Sequence, residues 1–310
     1  MNSHMCNSEK GMVLVLTLAI LVLITAMVTE FSYGVYIATS ALSNWRDSQR
    51  LSFIARSGIT LAVKTISDIP DEELLRFPGR VEIPVENSVE GFQGGLMIEV
   101  EDENGKFNLN SLVKVWPDGS KKAYNSFKRL LNNLELNEVI ADRVFDWIDT
   151  DNVPNKGFLN SEEGAKNDFF DSTDELLCIK GIDSKTYEKL VPYVTTYGIK
   201  SHDDPRININ TASVPAIMSL DQRITKELAG RVVEYRKLSP FKVPGELMKV
   251  GFDSALVNSI SGMVVTDIAR EGTFNFRIRS VSEENRIKRV IESVVEKSGN
   301  MVIVKYWKEF

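Results

Sequence analysis

The sequence predicts an α+β fold: one long N-terminal helix, a small antiparallel sheet, and a large all-α block inserted into that sheet. Three observations predict it. The run Met12–Val28 holds no charge, and no Pro interrupts the chain from there to Pro70. Alternating, β-rich segments lie on both sides of a long stretch of helical texture. That stretch contains a repeated hairpin signal with a Gly in its turn.

The helix is expected over Met12 to about Ile66, the apolar half first and an amphipathic half after it. Leu51, Ile54, Ala55, Gly58, Ile59, Ala62, Val63 and Ile66 recur at the 3-and-4 spacing of one helix face. Asp68-Ile69-Pro70-Asp71 ends the helix, because Pro cannot donate to the ladder and its ring clashes with the preceding turn. Strands are expected over Arg80–Glu86 and Leu96–Glu101. Asn104-Gly105 reads as a hairpin turn, with Lys106–Asn110 continuing beyond it. The texture is helical from about Ser111 to Asp267, and strand character returns at Thr273–Ser280, Arg286–Glu296 and Met301–Trp307. Within the helical block, Glu175–Ser184 matches Glu246–Ser254 with one residue deleted. Each copy reads as helix, Gly turn, helix.

Composition narrows the functional classes. The 310-residue chain has a formal net charge of −6, two Cys and two His. The negative balance argues against a general nucleic-acid binder. Cys6 and Cys178 could not form a disulfide once a leader carrying Cys6 were removed. With only His4 and His202, a His/Cys zinc site lacks ligands, and a Ser-His-Asp triad would rest on His202 alone. His202 sits in Ser201–Pro205, which reads as a turn.

The N-terminus carries the sharpest signal. Glu9-Lys10-Gly11-Met12 precedes the apolar run, and no small-residue cleavage site follows the run at Thr29–Tyr33. A polar leader ending in Gly resembles the signal of type IV pilins and pseudopilins, which a prepilin peptidase cuts after the Gly. Three more motifs follow in order: Asp102–Asn110 (DENGKFNLN), Asp146–Asp151 (DWIDTD) and Ile207–Ala212 (ININTA). Together with the leader they resemble the minor pseudopilin K of the bacterial type II secretion system, over nearly the whole chain.

The resemblance implies a pilin-like fold with this division: leader 1–11, transmembrane and packing helix 12–66, pilin-like α+β domain 67–110 and 266–310, and inserted α-domain 111–265 with helix-hairpin-helix-like repeats. It implies cleavage between Gly11 and Met12 with N-methylation of Met12. It implies a single-pass inner-membrane anchor with the globular part in the periplasm. It also implies a structural, non-enzymatic role beside minor pseudopilins I and J, with no nucleic acid. Counting Met12 as the first mature residue, the fifth is Leu16, where most pilins carry Glu. A buried carboxylate needs a charged partner. A subunit with Leu16 offers no such group, which suits a filament tip. The helix face Leu51, Ile54, Ile59 and Val63 is the expected partner seam.

Calcium is implied by the same resemblance. Asp146, Asp149, Asp151, Glu162, Glu163 and Asp168 are the hard oxygen donors in that region. Their spacing is not that of an EF-hand, since Pro154 stands where the turn Gly belongs and Asn160 where the bidentate Glu belongs. The family segment Gly-Ala-Glu-Asp is here Gly164-Ala165-Lys166-Asn167. Acid–base catalysis by these carboxylates would need a cleft and a nucleophile, and the sequence offers neither signal.

Two rivals have sequence support. Asn208–Ile260 resembles the helix-hairpin-helix module of membrane-anchored DNA-uptake receptors, with Arg223, Lys226, Arg231, Arg236, Lys237, Lys242 and Lys249 nearby. Its first turn reads Leu220-Asp221-Gln222-Arg223 rather than Gly-x-Gly, so it lacks the open backbone amides that hold phosphate. A minor pilin of a type IV pilus is the other rival, and Leu16 speaks against it.

Overall fold

A computed structural model of the protein describes residues 5–85, 92, 94–113, 122–149, 164–198, 205–271 and 273–310. Helix α1 spans Met5–Asp68, 64 residues, or about 96 Å at 1.5 Å per residue. Its C-terminal carbonyls are closed by a buried lysine: Lys297 Nζ donates to the carbonyls of Ile69 at 2.7 Å and Ser67 at 3.3 Å, and faces Asp71 at 3.3 Å. A cation there also complements the helix dipole. The short helix α2, Asp71–Leu74, follows directly.

Strands β1 (Arg80–Val85) and β2 (Gly95–Asp102) come next. Here the structure departs from the sequence reading. Glu103–Gly105 is a 3-10 turn, and no hairpin forms at Asn104-Gly105. The next strand, β3, is only Phe107–Asn108 and pairs elsewhere. The reason is burial. Phe107 and Leu109 are fully buried in the core of the helical block, so the chain has already left the sheet by Lys106.

The helical block comprises α3 (Lys122–Asn133), α4 (Val139–Ile148), α5 (Ser184–Leu190), β4 (Val194–Thr195), β5 (Ile207–Asn208), α6 (Val214–Ser219), α7 (Lys226–Leu238), α8 (Ser254–Ile260) and β6 (Val264–Val265). Two 3-10 segments, Thr173–Cys178 and Pro244–Val250, precede α5 and α8. The chain leaves through α9 (Ile268–Glu271) and finishes as β7 (Phe274–Glu284), β8 (Ile287–Ser298) and β9 (Met301–Glu309). The sheet order is β1-β2-β7-β8-β9, antiparallel throughout.

Two separate cores result. In the first, Leu51, Ile54, Ala55, Ile59 and Ile66 of α1 pack on Ile98, Val100, Phe276, Ile278, Ile291 and Val295 of the sheet. Gly58 lets the helix close down: a Cβ there would collide with Ser280 Oγ. Two polar ties hold the helix in register, Ser282 Oγ to the Leu51 carbonyl at 2.7 Å and Arg289 Nε to Ser48 Oγ at 2.8 Å. The second core runs from Phe107 to Val264 inside the helical block, while Val265 and Ile268 belong to the sheet side. Core membership starts the block at Phe107, four residues before the expected 111, and ends it at Val264, one residue before the expected 265.

The repeat is larger than the hairpin signal. β3 pairs in parallel with β4, and β5 with β6, each pair enclosing two helices, a 3-10 turn and a third helix. Equivalent side chains do equivalent work. Asn110 Nδ2 donates to the carbonyls of Phe170 and Thr196 at 3.0 and 3.1 Å, and its Oδ1 accepts from Phe170 N at 2.8 Å. Asn210 does the same with Phe241 and Thr266 at 2.9 and 3.3 Å, accepting from Phe241 N at 2.8 Å. Glu175 and Glu246 each accept a backbone N–H at 2.7 Å, from Asp171 and Lys242. Gly181 and Gly251 hold φ of +88° and +101°, left-handed backbone that favours glycine. Asp183 and Asp253 then cap α5 and α8 through Thr186 N and Leu256 N.

Candidate functional site

Residues 11–39 of α1 are exposed on every side. The helix is long and apolar enough to cross a membrane, with no part of that window buried. Thr17, Thr25 and Thr29 return their hydroxyls to carbonyls one turn back, so these polar groups are satisfied inside the helix. Gly11 and Met12 lie within the continuous helix, and nothing approaches a Cβ position at Gly11 within 4 Å. Leu16 is likewise bare.

The expected partner seam needs correction. Leu51, Ile54 and Ile59 are 1%, 6% and 2% exposed, and Val63 packs beside them against the same sheet. The 3-and-4 periodicity was a true burial signal, but the surface that covers it is the chain's own. The outward face carries Leu42, Trp45, Phe53 and Leu61 instead, with Trp45 62% and Phe53 63% exposed. Trp45 before Arg46 and Phe53 between Arg50 and Arg56 stand singly and make no stripe in the sequence.

The acidic region is divided. Helix α4 and its C-cap carry Asp142, Asp146 and Asp149 at spacings of four and three, and all three are buried. Asp142 accepts from the Tyr124 hydroxyl. Burial, then that carboxylate, pushes the Tyr124 hydroxyl well above its ordinary range. Asp168 is exposed, its Oδ1 accepting from Phe169 N at 2.7 Å. Lys166 pairs with Asp171 at 2.6 Å and Glu175 at 3.1 Å. Asp151, Glu162, Glu163 and His202 lie outside the described residues. Among the described residues no three His, Cys, Asp or Glu side chains converge as a metal shell.

A buried polar junction joins the two cores, and sequence reading saw its residues only as motif letters. Asp102 accepts from Asn208 Nδ2 at 2.9 Å, Thr211 Oγ1 at 2.6 Å and Asn104 N at 3.0 Å. Burial pushes its carboxyl up despite those three bonds. Glu103, fully buried, accepts from Lys106 Nζ at 2.7 Å and Arg277 Nε at 2.8 Å, and from Thr195 Oγ1. Burial alone would raise its pKa, but Lys106 and Arg277 outweigh it and bring it down to about 2. The two adjacent carboxylates thus fasten opposite neighbours: Asp102 holds the second repeat, and Glu103 ties the first repeat to the sheet. What signal existed lay in the repetition of Asn-x-Asn at 108–110 and 208–210.

A long helix, bare and apolar in its first half and packed on an antiparallel sheet in its second, defines a pilin-like fold, here with a duplicated α-domain inserted between β2 and β7. The family profile described as type II secretion system, protein K, matches residues 105–198, the first repeat. A helix-hairpin-helix profile matches residues 203–264, the second. The type II secretion system protein K of Pseudomonas aeruginosa is 32% identical, over 50% of this chain and 49% of that one. That match spans about half the length of the relative. The protein K of Aeromonas hydrophila is 25% identical over 92% of this chain and 96% of that one. In the crystal structure of the GspK-GspI-GspJ complex of the type 2 secretion system from enterotoxigenic Escherichia coli, a chain aligns with a TM-score of 0.64 and 19% identity. That alignment covers 86% of this chain and 98% of that one. The chain is thus similar to the type II secretion system protein K family, by profile over its first repeat and at 25% identity over nearly its whole length.

Proposed function

We propose that this protein is a minor pseudopilin at the tip of the type II secretion pseudopilus, promoting its assembly and protein export. In this reading α1 anchors it in the inner membrane and the globular part lies in the periplasm. A prepilin peptidase cuts between Gly11 and Met12, and Met12 is N-methylated. The role is structural and not enzymatic. The observation that carries the reading is the division of α1: apolar and bare through residue 39, then buried on one face against the sheet. A filament subunit needs both halves, one for lipid or neighbours and one to hold its head.

Leu16 supports the tip position, because a helix without a carboxylate there attracts no amine from a subunit above it. The partners are minor pseudopilins I and J, reached through the outward face of α1. Co-expression with both tests this. The expected result is a complex with one copy of this chain, and a mature mass matching cleavage after Gly11. An uncut N-terminus, or homopolymers of this chain alone, would reject the reading.

The DNA-receptor alternative loses support from the pairing of its basic residues. Arg223 is held by Asp221 at 2.9 Å, Arg231 by Glu227, Lys237 by Glu234 and Lys249 by Glu246. Arg236 donates inward to the carbonyls of Ile209 and Ala212. Arg236 so engaged serves the hairpin's own structure, and the Asp221 carboxylate, with Arg223 bound to it, stands in the turn that phosphate would have to approach.

A calcium site is a second proposal, favoured by Asp146 and Asp149, buried carboxylates at the C-terminal end of α4. The helix dipole disfavours anions there, and a divalent cation would offset it. Asp151, Glu162 and Glu163 would supply further oxygens from the acidic loop. A lower melting temperature in EGTA than in Ca²⁺ is expected, since a ligand of the folded state stabilises it. Equal melting, with no binding heat, would reject the site.

A further inference from the structure

The sheet has two edges, and they are built differently. β1 is six residues long and carries Arg80, Glu82 and Pro84. Charge and Pro both deter another strand from pairing there. β9 runs nine residues, Met301–Glu309, without Pro; of its three charged side chains, Lys308 is held by Asp174 and Glu309 by Arg56 at its C-terminal end, which leaves Lys305 in the middle. It exposes Met301, Ile303, Val304 and Trp307, and among the described residues no strand pairs with its outer side. A long, largely apolar edge that no described strand pairs with is a template for one more strand.

The charge on β9 says which strand. Full-overlap antiparallel pairing of two copies of Met301–Glu309 is centred on Lys305, and in-register parallel pairing also sets Lys305 against Lys305. Like charges directly opposite each other destabilise a ladder. Lys305 is also the extra residue of a bulge: Val294 faces Tyr306 and Val295 faces Val304, so no β8 residue opposes it. It reaches Glu296 at 3.4 Å, with the two side chains 38% and 26% exposed. An exposed pair of that kind contributes little, and an ammonium has three donors to share. The edge therefore disfavours a second copy of itself and suits a segment with a carboxylate opposite Lys305.

We propose that β9 is a strand-addition edge for an extended, apolar segment of another protein with Asp or Glu at its centre. This does not rest on the secretion reading, since it concerns a different surface from the α1 face and its test involves no secretion component.

The test uses the full chain in detergent micelles and two labelled ten-residue peptides of alternating Val and Thr, one with central Glu and one with central Lys. The Glu peptide should bind about tenfold more tightly, the span between favourable and like-charge cross-strand pairs. Binding should slow hydrogen exchange across residues 301–310, and Lys305→Glu should reverse the peptide preference. The proposal fails if neither peptide slows exchange there, in which case the bulge and Lys305 close the edge. It also fails if Lys305→Glu leaves the preference unmoved, or if the wild-type chain sediments as a dimer that Lys305→Glu does not weaken.

Discussion

Arg277 Nε on β7 lies 2.8 Å from Oε1 of Glu103, which is fully buried where the chain leaves β2 for the inserted block. The same guanidinium also reaches Glu292 on β8. Glu103→Gln would leave Arg277 and Lys106 short of a counter-charge, and breaking a buried pair costs about 3–5 kcal/mol. The pH dependence follows from the sign of the shift. The folded pKa of Glu103 is depressed to about 2. Its contribution is therefore present above the unfolded value of about 4.3 and is lost as pH falls toward 2. Asp102 acts oppositely: its raised pKa means that its charge costs stability, and acid relieves part of that cost. Melting temperature followed from pH 7 to 2 should fall less steeply in Glu103→Gln than in the wild type. Parallel curves would show that another group controls acid unfolding.

The Asp102 carboxylate is the matching tie to the second repeat. Asp102→Ala leaves Asn208 Nδ2 and Thr211 Oγ1 without their acceptor in a buried place. The expected loss is about 1–3 kcal/mol, measured by chemical denaturation. A loss no larger than that of an exposed substitution such as Glu82→Ala would mean that the junction is not a stabilising contact.

Gly58 sets how closely α1 approaches the sheet. Gly58→Val should destabilise by about 1–3 kcal/mol through overpacking against Ser280. Ser280→Gly in the same chain should recover part of the loss by removing the hydroxymethyl group. Failure of the second change to help would place the strain elsewhere along the helix.

The two faces of α1 should respond differently to charge. Leu51→Asp puts a carboxylate in the sheet core, an uncompensated buried charge, and should unfold the pilin-like domain. Phe53→Asp changes a side chain that is 63% exposed, so circular dichroism and melting should stay close to wild type. Under the tip-subunit proposal, Phe53→Asp should nevertheless abolish the complex with partner subunits. Retained binding would move the seam away from this face.

Much of the fold was legible because its signals are local. Residues 12–66 contain no Pro and keep one apolar face, and Arg80–Val85, Leu96–Glu101 and the C-terminal strands alternate in the manner of a half-buried sheet. The hairpin at Asn104-Gly105 was misread because turn chemistry specifies a bend, not which strand comes next. Phe107 chose its partner by burial in the helical core, across the chain to Val194. The site was less legible for the same reason. Periodicity marks Leu51 and Ile59 as buried, but it cannot say whether the cover is another subunit or the chain's own strands. The duplication was hidden by unequal spacing. Asn110 and Asn210 close identical hydrogen-bond rings, yet their Phe partners lie 60 and 31 residues downstream.

Asp102 of β2 and Phe276 of β7 are neighbours in one antiparallel ladder. In topological terms the entire α-domain is therefore the loop of a hairpin, entering and leaving through adjacent strands. A loop anchored that way can grow, shrink or double without moving the register of the strands that carry it, and loop-closure entropy rises only slowly with length. Head and rail are separately adjustable parts: the second repeat could have been added, or could be removed, while α1 and the five strands beneath it kept their places.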